Sequence, residues 1–538
     1  MKTIILIPAR GGSQGVPRKN VRLLHGKPLI EYTIQSVKSL DVDCYVITDD
    51  DEISYIANRA GVKVMREPKT TGKATLDDVT IRFLGMLETK PSDDTVIILV
   101  QPTCPFVKPE TIQKAIDSIR SNNGSVITVM DDRHLAWGID ADGKPQKKYK
   151  ERVNRQFLPA DYRESGAVIG STVGNVFKHK TRIVEPISLI PITKEEGIDI
   201  DDFYDWSLAE YVVGRKKIIL RADTHSKLGM GHVYRTLALA QELAQHDVTF
   251  YTASEHELGK EFFSKYPFKL VSEAADQFAN YVKKEKPDLV ILDVLDTQEA
   301  FLQSLRPHTK KIVSFEDLGP GATHADLVIN DLYQNSRIPT EKQLTGMEHS
   351  VLAPAFDILD IKKEIKANVE NLLILFGGTD PSNLTEKALT ALKIAKFGGN
   401  VTVIQGLGRK DRVINLADYN LKGDVLTNVD YIAAHMLKAD MAISSAGRTI
   451  SELVSLGVPT ICLCQNPKEM LHTHASQQYG IMNLGLGSLI QTETLAAQID
   501  FFIKNSELRQ KFFERQTIHS KTRKNRTIVE KIINLLKL

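Results

Sequence analysis

The chain has 538 residues, more than one hydrophobic core normally organises, so two to four domains are expected and a single-domain protein is set aside. Hydrophobic residues make up 42% and charged residues 25%, with no low-complexity tract, which excludes an intrinsically disordered chain. Lys+Arg at 69 against Asp+Glu at 67 leave a net charge of +2, so nothing favours nucleic acid or a membrane as a general partner, and any phosphate recognition has to be local.

The opening run MKTIILIPARGG is interrupted by Pro and Gly too soon for a secretory signal or a membrane span, and a cytoplasmic address is expected. Four cysteines do not make a disulfide framework in so long a chain. Cys462 and Cys464 alternate along the apolar run ICLC and are read as packing.

From Lys2 onward, short β-branched runs alternate with amphipathic stretches: TIILIPA, PLIEYTIQSVKSL, DCYVITD, ISYIANRAG, then TVIILVQP and GSVITVM. This alternation predicts a mostly parallel α/β sheet. Between about residues 131 and 171 the pattern becomes irregular, consistent with a substrate-covering insertion, before DIDDFYDWSLAEYVVG closes the region.

The first strand runs into IPARGGSQGVPRKN, which places Gly11, Gly12 and Gly15 at the carboxyl edge of the sheet, where α/β proteins bind ligands. Glycine lets backbone N–H groups approach phosphate oxygens, and Arg10, Arg18 and Lys19 can neutralise their charge. An isolated Gly pair would be an ordinary turn; three glycines and three cations directly after the first strand favour a nucleotide site. The segment is neither a Walker A motif nor a GxGxxG fingerprint. Further on, Asp199 and Asp201 are two residues apart in GIDIDDFYD, so in an extended segment both carboxylates point to one side, an arrangement suited to Mg²⁺. Asp202 and Asp205 read as a helix start.

Together with GKPLIEYTI, VITDDDEI and LVQPTCP, the Gly-rich loop resembles the CMP-sialic acid synthetase (acylneuraminate cytidylyltransferase) family over about residues 1 to 212. The resemblance implies a Rossmann-like, GT-A-like nucleotidyltransferase domain. CTP would be bound by Arg10, Gly11, Gly12, Ser13, Lys19 and Asn20, with Arg10 and Lys19 catalytic, and IDID would be the metal-binding segment carrying Asp199 and Asp201. Gln101, Arg155 and Gln156, the last two within NRQFLPADYRESGA, would bind a nonulosonic acid, Arg155 through its carboxylate. The implied reaction is attack of the anomeric hydroxyl on the α-phosphate of CTP with release of pyrophosphate. Where many sialate-specific members carry Tyr, this chain has Ile169, which leaves the choice among sialic, legionaminic, pseudaminic or another such acid open.

At Lys216 the logic restarts with KKIILRADTHSKLGMGHVYRTLALAQELA: strand, Gly-rich loop, helix. A boundary near Gly214 follows, with regions 1–214, 215–365 and 366–538, the last two forming a GT-B-like pair of Rossmann subdomains with a cleft between them. Strand signals VTFYT, DLVILD, KIVSFED and DLVIN serve one subdomain; NLLILFGG, NVTVIQG, MAISSAG and PTICLC serve the other. His232 follows glycines 229 and 231 at a helix opening, where it would face the cleft as a neutral base. FGGTDPSN and SSAGRTISE follow strands and offer N–H groups and hydroxyls to a diphosphate, with Glu452 available to a ribose diol.

These segments resemble the UDP-sugar hydrolase of pseudaminic acid synthesis, a relative of GT-B glycosyltransferases, over about residues 216 to 480. The resemblance implies metal-free hydrolysis assisted by His232. The UDP-sugar would contact Gly231, Gly377, Gly378, Thr379, Asp380, Ser444, Ser445, Gly447, Thr449 and Glu452. LAPAFDILD departs from the hydrolase pattern by lacking an Arg beside Leu359. His472 and His474, near Glu469, stand two apart on a predicted helix, would not face one another, and are not read as a metal site. The leading expectation is a bifunctional enzyme with CTP, a nonulosonic acid and a UDP-sugar as partners, Mg²⁺ as cofactor, and a homodimer as the oligomer the resemblance suggests. The competing expectations are a C-terminal glycosyltransferase or a non-catalytic nucleotide-sugar-binding module.

Overall fold

Short apolar runs and amphipathic helices assemble into two compact units, Met1–Arg215 and Lys216–Leu538. The computed structural model describes residues 2–13, 15–68, 74–223, 231–333, 335–359, 364–378, 380–406, 413–427, 429 and 431–537.

Among the described residues of the first unit, seven strands form one sheet, in the order Ile187–Pro191, Ser125–Asp131, Tyr162–Thr172, Val96–Val100, Thr3–Pro8, Asp43–Thr48, Lys63–Arg66. Tyr162–Thr172 runs antiparallel to both its neighbours, and the other pairings are parallel. Val96–Val100 is buried along its whole length, as expected for a central strand covered on both faces. One cover is made by Leu29–Lys38, Asp51–Arg59 and Pro109–Asn122, which turn Ile34, Ile53 and Ile116 into the core. The region expected to be irregular holds a two-stranded ribbon, Trp137–Ile139 with Pro145–Lys147, but its end is a strand of the main sheet. Glycines 166 and 170 and the polar residues around them dilute the apolar pattern there, and the register shifts between Glu164 and Ile169. Ile169 packs against Ile127 and Val129.

Among the described residues, the second unit contains two all-parallel sheets. The first has the order Lys269–Glu273, Asp247–Ala253, Lys217–Ala222, Leu289–Asp293, Lys311–Phe315, Leu327–Asn330, Gln343–Thr345. The second has the order Lys422–Thr427, Asn400–Gln405, Asn371–Leu375, Met441–Ser444, Thr460–Cys464, Ile481–Leu486. In each, the chain builds outward in one direction from its first strand and then returns to that strand's other side. A topological switch therefore lies between Lys217–Ala222 and Leu289–Asp293, and another between Asn371–Leu375 and Met441–Ser444, the places where such sheets bind ligands. The final helix, Asn525–Asn534, returns to the first sheet, inserting Ile528, Val529 and Ile532 into its core beside Gly231–Glu242. Cys462 and Cys464 are buried in the second sheet. Among the described residues no helix is long and apolar enough to cross a membrane.

Candidate active sites

In the first unit the Gly-rich loop is held against its neighbours at the carboxyl edge. The Gly11 amide donates to Asp49 Oδ1 at 2.9 Å, and a Cβ on Gly11 would collide with the Asp50 carboxylate. Gly15 lies directly on the backbone carbonyl of Asp201, so the absence of a side chain lets loop and acidic segment touch. Lys19, only 8% exposed, donates to the Ile200 carbonyl and stands 3.5 Å from Asp201 Oδ1. Asn20 donates to the Arg10 carbonyl at 2.9 Å, leaving its own Oδ1 buried without a partner. Arg10 reaches the Ala74 carbonyl at 3.4 Å, Gly12 faces open space, and Ser13 is half-buried. The guanidinium of Arg18 is committed to Asp50 and Glu52 at the start of the helix Asp51–Arg59, so one of the loop's cations is already neutralised.

The acidic segment ends in a capping box. Asp202 accepts the amides of Tyr204 and Asp205, and Asp205 accepts those of Asp201 and Asp202, fixing the start of Phe203–Gly214. That leaves Asp199 and Asp201 outside the cap. Burial, reinforced by the Asp201 charge, pushes the Asp199 carboxyl upward, and its Oδ1 is buried with no hydrogen-bond partner. The Asp201 side chain is 79% exposed. A buried, unsatisfied carboxylate oxygen beside an exposed one is a donor set that fits a hard divalent cation keeping most of its waters.

Gln101 donates to the Gly166 carbonyl at 2.7 Å. A Cβ on Gly166 would stand 2.9 Å from Gln101 Nε2 and 3.4 Å from Asp199 Oδ2, so Gln101 and Asp199 line the same spot. Arg155 and Gln156 are exposed on the turn Arg155–Phe157, with Arg155 3.5 Å from the Asp131 carbonyl; no described hydrogen bond joins them to Gln101.

In the second unit the switch point of the first sheet holds a buried charged cluster. His232 Nδ1 stands 2.5 Å from Asp293 Oδ1. A carboxylate only accepts, so the neutral imidazole carries its proton on Nδ1 and leaves a lone pair on Nε2. His232 stands at the start of the helix Gly231–Glu242, as expected, and a carboxylate partner holds its ring as well. Arg235, one turn along the helix, donates its Nε to Asp293 Oδ2 at 2.6 Å, its Nη2 to Asp293 Oδ1, and its Nη1 to Glu316. Arg448, preceding Thr449–Ser455 in the second sheet's half, reaches Glu316 Oε1 at 2.6 Å and Asp331 Oδ1 at 3.5 Å. Although burial pushes both carboxyls up, Arg235 and its fellow cations hold Asp293 below, and Glu316 well below, the usual carboxylate range. Burial, with Glu316 nearby, raises Asp331 instead.

At the second switch point, Gly377 adopts φ +72, and a Cβ on either Gly377 or Gly378 would meet nothing within 4 Å, while their backbone packs on its other side against Gly406. Asp380 turns inward: its oxygens accept the Leu384 and Thr385 amides, the Thr385 hydroxyl and Gln465 Nε2. It therefore shapes the loop rather than offering a carboxylate to a ligand. Thr379 lies outside the described residues, as does Gly229. Ser444 Oγ is buried without a partner, Ser445 Oγ lies 3.7 Å from where a Gly447 Cβ would be, and Thr449 begins its helix. Burial pushes the Glu452 carboxyl up to about 7, with Arg448 opposing. His472 and His474 are not on the predicted helix, which is only the turn Glu469–Leu471. Their rings lie 5.5 Å apart and bind the carbonyls of Ala446 and Gly447, with Tyr333 hydroxyl on His472 Nε2 at 2.7 Å. Burial drives His474 down to about 3. These histidines support the turn 444–447.

Sequence reasoning missed Arg235, Asp293, Glu316, Asp331 and Arg448. A signal existed: Leu289–Asp293, Lys311–Phe315 and Leu327–Asn330 each end in, or are followed at once by, an acidic residue.

The two units resemble different groups of known proteins. The family model described as Cytidylyltransferase matches residues 4–159, and that described as Glycosyltransferase family 28 C-terminal domain matches residues 372–532. An uncharacterized protein of Methanocaldococcus jannaschii is 34% identical over 274 residues, covering 46% of this chain and 56% of its own length. The chain thus spans about half of that relative. The spore coat polysaccharide biosynthesis protein SpsG of Bacillus subtilis is 28% identical over 305 residues, 54% of this chain and 89% of its own. The CMP-N,N'-diacetyllegionaminic acid synthase of Legionella pneumophila is 32% identical over 224 residues, 39% of this chain and 95% of its own.

Proposed function

Through its first unit the chain belongs to the cytidylyltransferase family, here joined to a glycosyltransferase-28-type C-terminal domain, and from that premise we propose that the first unit transfers CMP from CTP to the anomeric hydroxyl of a sialic-acid-like sugar. The observation that carries this reading is the contact between the Gly-rich loop and the acidic segment, made by Gly15 on Asp201 and by Lys19 on Ile200 and Asp201. It brings the loop backbone and the Lys19 side chain beside Asp201, which supports a site where a triphosphate and a cation would meet. Asp199 and Asp201 would hold Mg²⁺, which when bound neutralises charge on the triphosphate. Arg10 and Lys19 stabilise charge growing on the α-phosphoryl oxygens as the sugar hydroxyl attacks and pyrophosphate leaves. Gln101 orients the sugar, and Arg155 takes its carboxylate. The legionaminic relative makes an N,N'-diacetylated nonulosonic acid the first substrate to try. Pyrophosphate release from CTP and Mg²⁺ with sialic, legionaminic and pseudaminic acids tests the reading; silence with all of them overturns it.

For the second unit the proposal is hydrolysis of a UDP-sugar. The His232–Asp293 pair supports it: Nε2 takes a proton from water as the water oxygen bonds to the anomeric carbon, and UDP leaves with the electrons of the broken C–O bond. Gly377, Gly378 and the turn 444–447 would bind the diphosphate, and Glu452 the ribose. The match to a glycosyltransferase domain favours a second reading, transfer to an acceptor. Free sugar and UDP formed without any acceptor support hydrolysis; strict acceptor dependence supports transfer.

A further inference from the structure

Arg448, which neither reading of the second unit has assigned a part, is the end of a line of alternating charges that crosses from the second sheet to the first. Its Nη1 lies 2.6 Å from Glu316 Oε1, and its Nη2 donates to the Val351 carbonyl at 2.9 Å. The same Glu316 oxygen accepts from Arg235, which forks onto Asp293, and Asp293 holds His232. The line runs Arg448, Glu316, Arg235, Asp293, His232. A Cβ on Gly231, the residue before His232, would stand 2.9 Å from Arg448 Cδ, so the Arg448 stem lies against the start of the histidine's helix. Glu316 adopts φ 52, a left-handed conformation that is unfavourable for a non-glycine residue, yet this is where its carboxylate meets both guanidinium groups. Asp331 Oδ2 is buried beside the line with no hydrogen-bond partner.

We propose that Arg448 is a positioning residue through which an anion seated at the turn 444–447 changes the state of the His232–Asp293 pair. The inference rests on the UDP-sugar reading of this unit. A diphosphate competes with Glu316 for Arg448. As Arg448 turns to it, Glu316 draws more of Arg235, Asp293 loses part of its guanidinium partner, and its charge falls on His232. The charged groups around His232 are Asp293 from the adjoining strand and Arg235 from its own helix, then Glu316 and Asp331 after the next two strands, and Arg448 from the second sheet's half. Ligand binding thus strengthens the base where it is needed.

The test is NMR titration of the His232 ring in the full chain, with and without saturating UDP, in the unsubstituted protein, Arg448→Gln and Glu316→Gln, with UDP affinity measured by calorimetry. UDP is expected to raise the His232 midpoint by about one pH unit in the unsubstituted protein, and by less than about half of that in either variant that still binds UDP. Arg448→Lys, which keeps the charge without the planar fork, is expected to fall between. Glu316→Gln keeps the experiment decisive if Arg448→Gln does not fold. Equal UDP-induced shifts in the unsubstituted protein and both variants overturn the inference while leaving UDP binding intact. Absence of UDP binding in the unsubstituted protein overturns the UDP-sugar reading itself, and the inference with it.

Discussion

Nδ1 of His232 and Oδ1 of Asp293 are 2.5 Å apart, with both side chains buried at the switch point of the second unit's first sheet. Because Arg235 also binds Asp293, the carboxylate keeps a partner when the imidazole is lost. His232→Gln is therefore expected to lower UDP-sugar turnover at least about 100-fold while costing less than about 1.5 kcal/mol of stability. Free-sugar release and denaturant unfolding of the same variant check both parts.

Gly15 and Gly12 separate contact from openness within one loop. A Cβ on Gly15 would fall on the Asp201 carbonyl, whereas one on Gly12 would meet nothing within 4 Å. Gly15→Ala is expected to cut CTP turnover at least ~10-fold and to lower stability by about 1–3 kcal/mol. Gly12→Ala is expected to stay within about 0.5 kcal/mol of the original stability. Thermal unfolding of the two variants side by side makes the comparison.

Lys19 brings a buried ammonium to the junction of the loop and Asp201. Lys19→Met retains the stem and removes the charge, so kcat for CMP transfer is expected to fall by about 10²–10³. Its KM for the acceptor sugar is expected to move little, which steady-state kinetics at varied sugar concentration would show.

Glu452 gives a pH dependence of defined sign. Its carboxyl is pushed up to about 7 in the folded chain, while in the unfolded chain it titrates near 4.5. Between those values the folded state holds the proton and the unfolded state does not, so this group destabilises the protein progressively as pH rises, reaching its full effect above about 7. Since the side chain is only half-buried, the effect is discounted to about 1–2 kcal/mol. Glu452→Gln is expected to be more stable than the unsubstituted protein at pH 7.5 and to lose that advantage by pH 4. Urea unfolding of both proteins at the two pH values would show it.

The two α/β units were legible because the alternation of apolar strand and amphipathic helix is local in sequence. The two-residue spacing of Asp199 and Asp201 is local in the same way, while their part as metal ligands is a proposal. The line from Arg448 to His232 was not, since Glu316 and Arg448 are 132 residues apart, follow strands of two different sheets, and meet only where the two halves of the second unit pack together. Asp380 misled the reading because a Gly-rich loop suggests ligand contacts, while the helix it opens has amides that its carboxylate satisfies first. At His472 and His474 a helix was expected, but the Ala446 and Gly447 carbonyls hold the rings against another loop. The strand Tyr162–Thr172 escaped because its glycines and serines hide an antiparallel partner that only the finished sheet supplies.

CTP labelled at its α-phosphate, incubated with Mg²⁺, the full chain and N,N'-diacetyllegionaminic, sialic or pseudaminic acid, tests nucleotidyl transfer most directly. The expected result is label in a CMP-sugar, with one unlabelled pyrophosphate per sugar converted and none formed without sugar. Label that stays in CTP with every acid, or that emerges only as free CMP, would contradict it.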